Sequence, residues 1–124
     1  MKILFIDDSR LSRRITSRYL KLYFPEAEIH AIGPEDFEGI LESIQEYHIV
    51  ITDLLMPGIS GEEAIEKISS KSQDVFIAVL SANVQEKTRE KMRHLGVQLF
   101  LGKPLTEEKM IALKEAYYAR RKNP

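Results

Sequence analysis

The chain contains no cysteine and no tryptophan, which excludes disulfides, thiolate metal centres and cysteine nucleophiles. It also lacks an excess of either charge. With 18 basic and 19 acidic residues the formal net charge is -1, so no bulk basic field points to nucleic acid as a direct partner. Long apolar runs are missing as well. The N-terminal run Ile3 to Ile6 is far too short for a signal peptide, and no stretch approaches the ~20 apolar residues of a membrane span. The expectation is a cytoplasmic domain with no membrane insertion. No Pro/Gly/Ser linker, internal repeat or low-complexity segment interrupts it, so residues 1-124 read as one domain with a fraying end at Arg120 to Pro124 and no output domain after it.

What is present is an alternation of short β-branched apolar runs with stretches of helical period, the pattern of repeated β-α units around a parallel sheet. The predicted strands are Lys2 to Ile6, Glu28 to Ile32, His48 to Thr52, Val75 to Leu80 and Gln98 to Leu101. Leu11, Ile15, Tyr19 and Leu22 form the first helical stripe, which should stop at Phe24 because Pro25 disfavours a helical residue before it. Phe37, Ile40, Leu41 and Ile44 form a second. The third helix starts at a capping box of Ser60 and Glu63 and carries Ala64, Ile65 and Ile68. In the fourth, Asn83 caps with Glu86 three residues on, Val84, Thr88, Met92 and Leu95 face inward, and Gly96 supplies a left-handed stop. The last helix runs from about Thr106 to Arg121. Stripes of this kind are read as core, so Met92 and Met110 carry no ligand role.

In open α/β sheets ligands bind beyond the carboxyl ends of the strands, and those ends are polar here. Strand one ends in Asp7 and Asp8, strand three in Asp53, strand four in Ser81, and strand five leads through Gly102 to Lys103 and Pro104. Any one Asp after a strand is most simply a cap or turn former. Three carboxylates converging on one crevice are harder to explain that way, since they would repel one another unless a cation neutralised them. Hard oxygen ligands favour Mg²⁺, which keeps several waters and leaves room for phosphate oxygens. Lys103 adds a mobile charge suited to a phosphoryl oxygen, and the Ser81 hydroxyl can donate to another.

Taken in order, Asp7-Asp8, Asp53-Leu54-Leu55-Met56-Pro57-Gly58, Ser81-Ala82 and Lys103-Pro104 resemble the receiver domain of bacterial two-component response regulators, nearest to the single-domain, chemotaxis-type members. The resemblance spans essentially the whole chain. It implies a flavodoxin-like, doubly wound fold with strand order 2-1-3-4-5 and helices on both faces. It further implies that Asp53 is the phosphoacceptor and that Mg²⁺ is held by Asp8, Asp53 and the backbone carbonyl of Leu55, with Asp7 acting largely through water. Ser81 and Lys103 would bind phosphoryl oxygens, Phe100 would take the place of the aromatic switch residue beside Ser81, and the Lys103-Pro104 bond would be cis. From spacing alone Phe100 is a core strand residue.

The partners implied are a histidine kinase or phosphotransfer protein, a phosphatase and a downstream protein target, with the output carried by the fourth helix, fifth strand and fifth helix. Leu55 and Asn83 occupy positions that in this family affect access of hydrolytic water, so they bear on the phosphorylated lifetime. The basic side of the first helix, Arg10, Arg13, Arg14, Arg18 and Lys21, reads first as a solvated face and second as a docking surface. His30, His48 and His94 lack ligand spacing.

Three rival readings meet specific obstacles. A haloacid-dehalogenase-type phosphatase would want an acid where this chain has Leu55, and a cap domain. A flavodoxin-like electron carrier needs a hydroxyl- and Gly-rich phosphate loop where Asp7 and Asp8 would repel an FMN phosphate. A degenerate receiver used only for binding would not be expected to keep the complete acidic set and Lys103.

Overall fold

The computed structural model describes residues 1–82 and 85–122. Five strands, β1 (Lys2–Ile6), β2 (Glu28–Ile32), β3 (Ile49–Thr52), β4 (Phe76–Ser81) and β5 (Leu99–Gly102), form one parallel sheet in the order β2-β1-β3-β4-β5. The expected strands are all present; β3 starts one residue later than expected and ends at Thr52 as expected, and β4 and β5 are each displaced by one residue toward the C-terminus. Among the described residues the α-helices are α1 (Arg10–Tyr23), α2 (Phe37–Leu41), α3 (Gly61–Lys71), α4 (Glu86–His94) and α5 (Glu107–Lys122).

Alternation along the central strands divides the core in two. Leu4, Ile6, Val50, Ile77 and Val79 face α2, α3 and α4, through Phe37, Leu41, Ala64, Ile65, Ile68 and Met92. Ile3, Phe5, Ile49, Ile51, Phe76, Ala78 and Leu80 face α1 and α5, through Leu20, Met110, Leu113 and Tyr117. Because both faces are covered, β1, β3 and β4 are buried almost without interruption, which explains their continuous apolar runs.

Helix termini follow local chemistry. The Ser60 hydroxyl accepts from the Glu63 N–H at 3.1 Å, and the Thr106 hydroxyl accepts from the Lys109 N–H at 3.3 Å. Gly96 ends α4 at φ +104°, a conformation that L side chains avoid, while the Val97 N–H closes back on the Met92 carbonyl at 3.0 Å.

Three expectations are corrected. The second helical stripe is broken: Pro34–Asp36 and Ile44–Glu46 are 3₁₀ turns flanking a five-residue α2. Both the backbone N–H and the hydroxyl of Ser43 bond to the Ile40 carbonyl, closing the tighter turn that ends α2. In α4, Glu86 is the first helical residue and Gln85 the N-cap, so Glu86 is not the N3 partner of an Asn83 cap; Asn83 and Val84 themselves lie outside the described residues. The third concerns α1. Leu11 is 65% exposed, Ile15 43% and Leu22 72%, whereas Thr16 and Leu20 are buried. The inward face is the parallel row one residue later, Ser12, Thr16 and Leu20, because the N-terminal half of α1 packs where the sheet ends in polar groups.

Candidate functional site

Parallel strands deliver their carboxyl ends to one side. β1 and β3 are adjacent, with Ile6 level with Thr52, so Asp7 and Asp53 emerge next to each other. On the other side of β3, β4 and β5 bring Ser81 level with Gly102, and the Lys103 N–H donates to the Ser81 carbonyl at 2.9 Å. The Lys103-Pro104 bond is cis. The Lys103 ammonium reaches back across the end of the sheet and donates to Asp7 Oδ2 and Asp53 Oδ2, both at 2.8 Å. Asp8 completes the cluster: Asp7, Asp8 and Asp53 each offer a carboxylate oxygen within 4.8 Å of the others.

The three acids are differently held. Asp7 is fully buried; its Oδ1 accepts from the Ser9 N–H at 2.9 Å and its Oδ2 from the Ser12 hydroxyl at 2.6 Å as well as from Lys103. Burial pushes the Asp7 carboxyl up, but Lys103, Ser12 and the Ser9 N–H together outweigh it and hold the group below the ordinary carboxylate range. Asp53 is buried except for a small opening, and its Oδ1 accepts from the N–H groups of Leu54 at 2.6 Å and Leu55 at 3.3 Å. That leaves Oδ2 directed at Lys103. Asp8 is exposed and makes no hydrogen bond or ion pair among the described residues. Desolvation works to lower the Lys103 pKa, and the two carboxylates outweigh it, so the ammonium stays charged above the usual lysine range.

The donor set suits a hard divalent cation. Two buried carboxylates share the Lys103 ammonium as counter-charge, the exposed Asp8 carboxylate stands beside them without an ion pair among the described residues, and the ligating atoms are all oxygen.

Three contributors had no signal in the sequence. Ser12 hydrogen-bonds Asp7 from the first turn of α1, and Arg13 Nη1 donates to the Asp7 carbonyl at 2.6 Å. Of the basic row on α1, Arg13 therefore turns toward the site, while Arg10, Arg14, Arg18 and Lys21 are exposed. A third is Gly61. Its N–H donates to the Leu54 carbonyl at 3.0 Å, and a Cβ there would stand 2.3 Å from the Asp53 carbonyl oxygen, so α3 can approach the β3 end only without a side chain. Phe100, half-buried on β5, packs against the α4 side of the core with the Arg93 guanidinium 5.7 Å from its ring centre.

The sequence profile of the response regulator receiver domain matches residues 3–115. The chain belongs to that family. Sensor protein EvgS of Escherichia coli O157:H7 is 33% identical over 106 residues, which are 86% of this chain and 9% of EvgS. The uncharacterized transcriptional regulatory protein YesN of Bacillus subtilis is 40% identical over 91 residues, 73% of this chain and 24% of YesN. The chain thus spans less than a quarter of the length of either relative. Among solved structures, the N-terminal domain of an uncharacterized protein from Wolinella succinogenes superposes with a TM-score of 0.81 at 27% identity, covering 98% of this chain and 96% of that one. Receiver domains are phosphoacceptor switches and not turnover enzymes, and their signalling depends on phosphorylation. Among the described residues no helix is long and apolar enough to cross a membrane.

Proposed function

We propose that residues 1–124 act as one cytoplasmic receiver domain in which Asp53 takes a phosphoryl group from a phosphohistidine of a partner kinase or phosphotransfer protein. The observation that carries this reading is the Lys103 ammonium 2.8 Å from Asp53 Oδ2 and from Asp7 Oδ2. Asp53 Oδ1 is anchored by two backbone N–H groups, which leaves Oδ2 as the nucleophile. A bond forms from Oδ2 to phosphorus as the phosphorus–nitrogen bond to the donor imidazole breaks, and the leaving imidazole takes up a proton. Lys103 moves from carboxylate to phosphoryl oxygen, and the Ser81 hydroxyl supplies a further donor. Asp8, Asp53 and the Leu55 carbonyl would hold Mg²⁺, with Asp7, whose oxygens already have three donors, acting through water. When bound, the ion neutralises charge developing on the transferred group.

Beside Lys103 lies an apolar groove of about 470 Å³ between α1 and the β5–α5 connection, with Leu11, Ile15, Pro104 and Leu105 on its walls. The exposed stripe of α1 and the basic residues next to it suit a helical donor with apolar and acidic faces. The added charge of roughly -1.5 to -2 on Asp53 then biases Ser81 and Phe100, altering the α4–β5–α5 surface read by a downstream protein. Incubation with acetyl phosphate and Mg²⁺ should add one phosphoryl mass to the intact protein. An Asp53→Asn variant that labels as well as the parent would refute the assignment.

A further inference from the structure

The outer face of α5 carries a pattern that the phosphoacceptor site does not use. Ile111 and Tyr118 are 44% and 40% exposed, and Lys114 and Glu115 between them are also exposed. With Tyr23 of α1 and Ala119 these residues line a surface groove of about 550 Å³. Positions 111, 114, 115 and 118 are spaced i, i+3, i+4 and i+7, so they share one side of the helix. Among the described residues neither Lys114 nor Glu115 forms an ion pair.

Reversed end to end, this pattern maps onto itself with its charges exchanged. A two-fold axis between Lys114 and Glu115 would set each Lys114 against the other chain's Glu115, and each Ile111 against the other chain's Tyr118. An isologous contact requires that kind of self-complementarity, and a different partner would not. The same alignment would bring Lys109 level with Arg120, a like-charge pair. Both are already turned onto their own chain. Lys109 Nζ donates to the carbonyls of Gly102 at 2.6 Å and Pro104 at 2.9 Å, and the Arg120 guanidinium lies 5.9 Å from the centre of the Phe76 ring.

We propose that α5 pairs antiparallel with α5 of a second copy of this chain, Ile111 and Tyr118 entering each other's grooves and Lys114 and Glu115 setting the register. From Ile111 to Tyr118 the contact runs only ~10 Å along the helix, so the dimer is weak and concentration-dependent. It does not depend on the phosphoacceptor reading. Sedimentation velocity of the unmodified protein up to about 1 mM should show reversible dimerisation. Lys114→Glu and Glu115→Lys each turn two attractions into two repulsions and should weaken it at least about tenfold. The double reversal Lys114→Glu/Glu115→Lys should restore it to within about threefold of the parent, which also excludes misfolding as the cause of the single losses. A parent monomeric throughout that range, single variants that associate normally, or a double variant that stays monomeric would each overturn the proposal.

Discussion

Replacing Lys103 by Met tests the electrostatic logic of the site without touching an acid. Lys103 is the only cation within ion-pair distance of Asp7 and Asp53 among the described residues, and its side chain is 24% exposed. Removing one partner of a fully buried pair costs about 3–5 kcal/mol. Here the cost is smaller, because Asp7 keeps its bonds from Ser12 and Ser9 and Lys103 is partly solvated; a loss of about 2 kcal/mol at pH 7 is expected. For a domain of this size that lowers Tm by roughly 5–10 °C. The pH dependence has a definite sign. In the parent, the Asp7 pKa is depressed in the folded state, so its contribution is present above the unfolded value near 3.9 and is lost as pH falls through the folded one. In Lys103→Met, the Asp7 carboxyl loses the strongest of the influences that lower its pKa and keeps only the bonds from Ser12 and Ser9 against burial, so its folded pKa rises. The resulting destabilisation is full above that raised value and disappears as protonation proceeds. The gap in stability between parent and variant should therefore narrow from pH 7 toward pH 4, and Mg²⁺ should raise the variant's Tm more than the parent's. Thermal unfolding across that range, with and without Mg²⁺, checks all three. A Tm unchanged at pH 7, or a gap that widens on acidification, would refute the reasoning.

At Gly61, a methyl group would press on the backbone of Asp53 and Leu54, which cannot rotate aside. Gly61→Ala should cost about 1–3 kcal/mol in chemical denaturation and also slow labelling by acetyl phosphate, whereas steric relief elsewhere would leave the labelling rate intact. Leu11 is exposed on the wall of the groove beside Lys103, so Leu11→Ser should change stability by less than about 0.5 kcal/mol. It should slow transfer from a phosphohistidine protein while leaving labelling by acetyl phosphate unchanged; equal effects on both donors would argue against a docking role.

The acidic site was legible because it depends on where strands end, and strand ends are marked by the change from apolar run to polar residue. Asp7, Asp8, Asp53, Ser81 and Lys103 each follow such a change, and parallel pairing does the rest. The bonds that hold Asp7 were not legible. A hydroxyl reaching back five residues and a guanidinium reaching back six to a carbonyl leave no periodic trace. The misplaced face of α1 has the same origin. Its row of apolar residues has helical spacing, but spacing reports only that the residues share a side, and assigning that side to the core assumes that nothing else needs the inward positions. Here the site needs them: Ser12 bonds to Asp7, Arg13 to its carbonyl, and buried Thr16 continues the inward row toward Leu20. Given a polar inner row, Leu11 and Ile15 are left facing outward beside Lys103. Because the inward positions of α1 go to holding Asp7, its apolar row is left on the surface beside Lys103, where the proposed function places the docking of a phosphoryl donor.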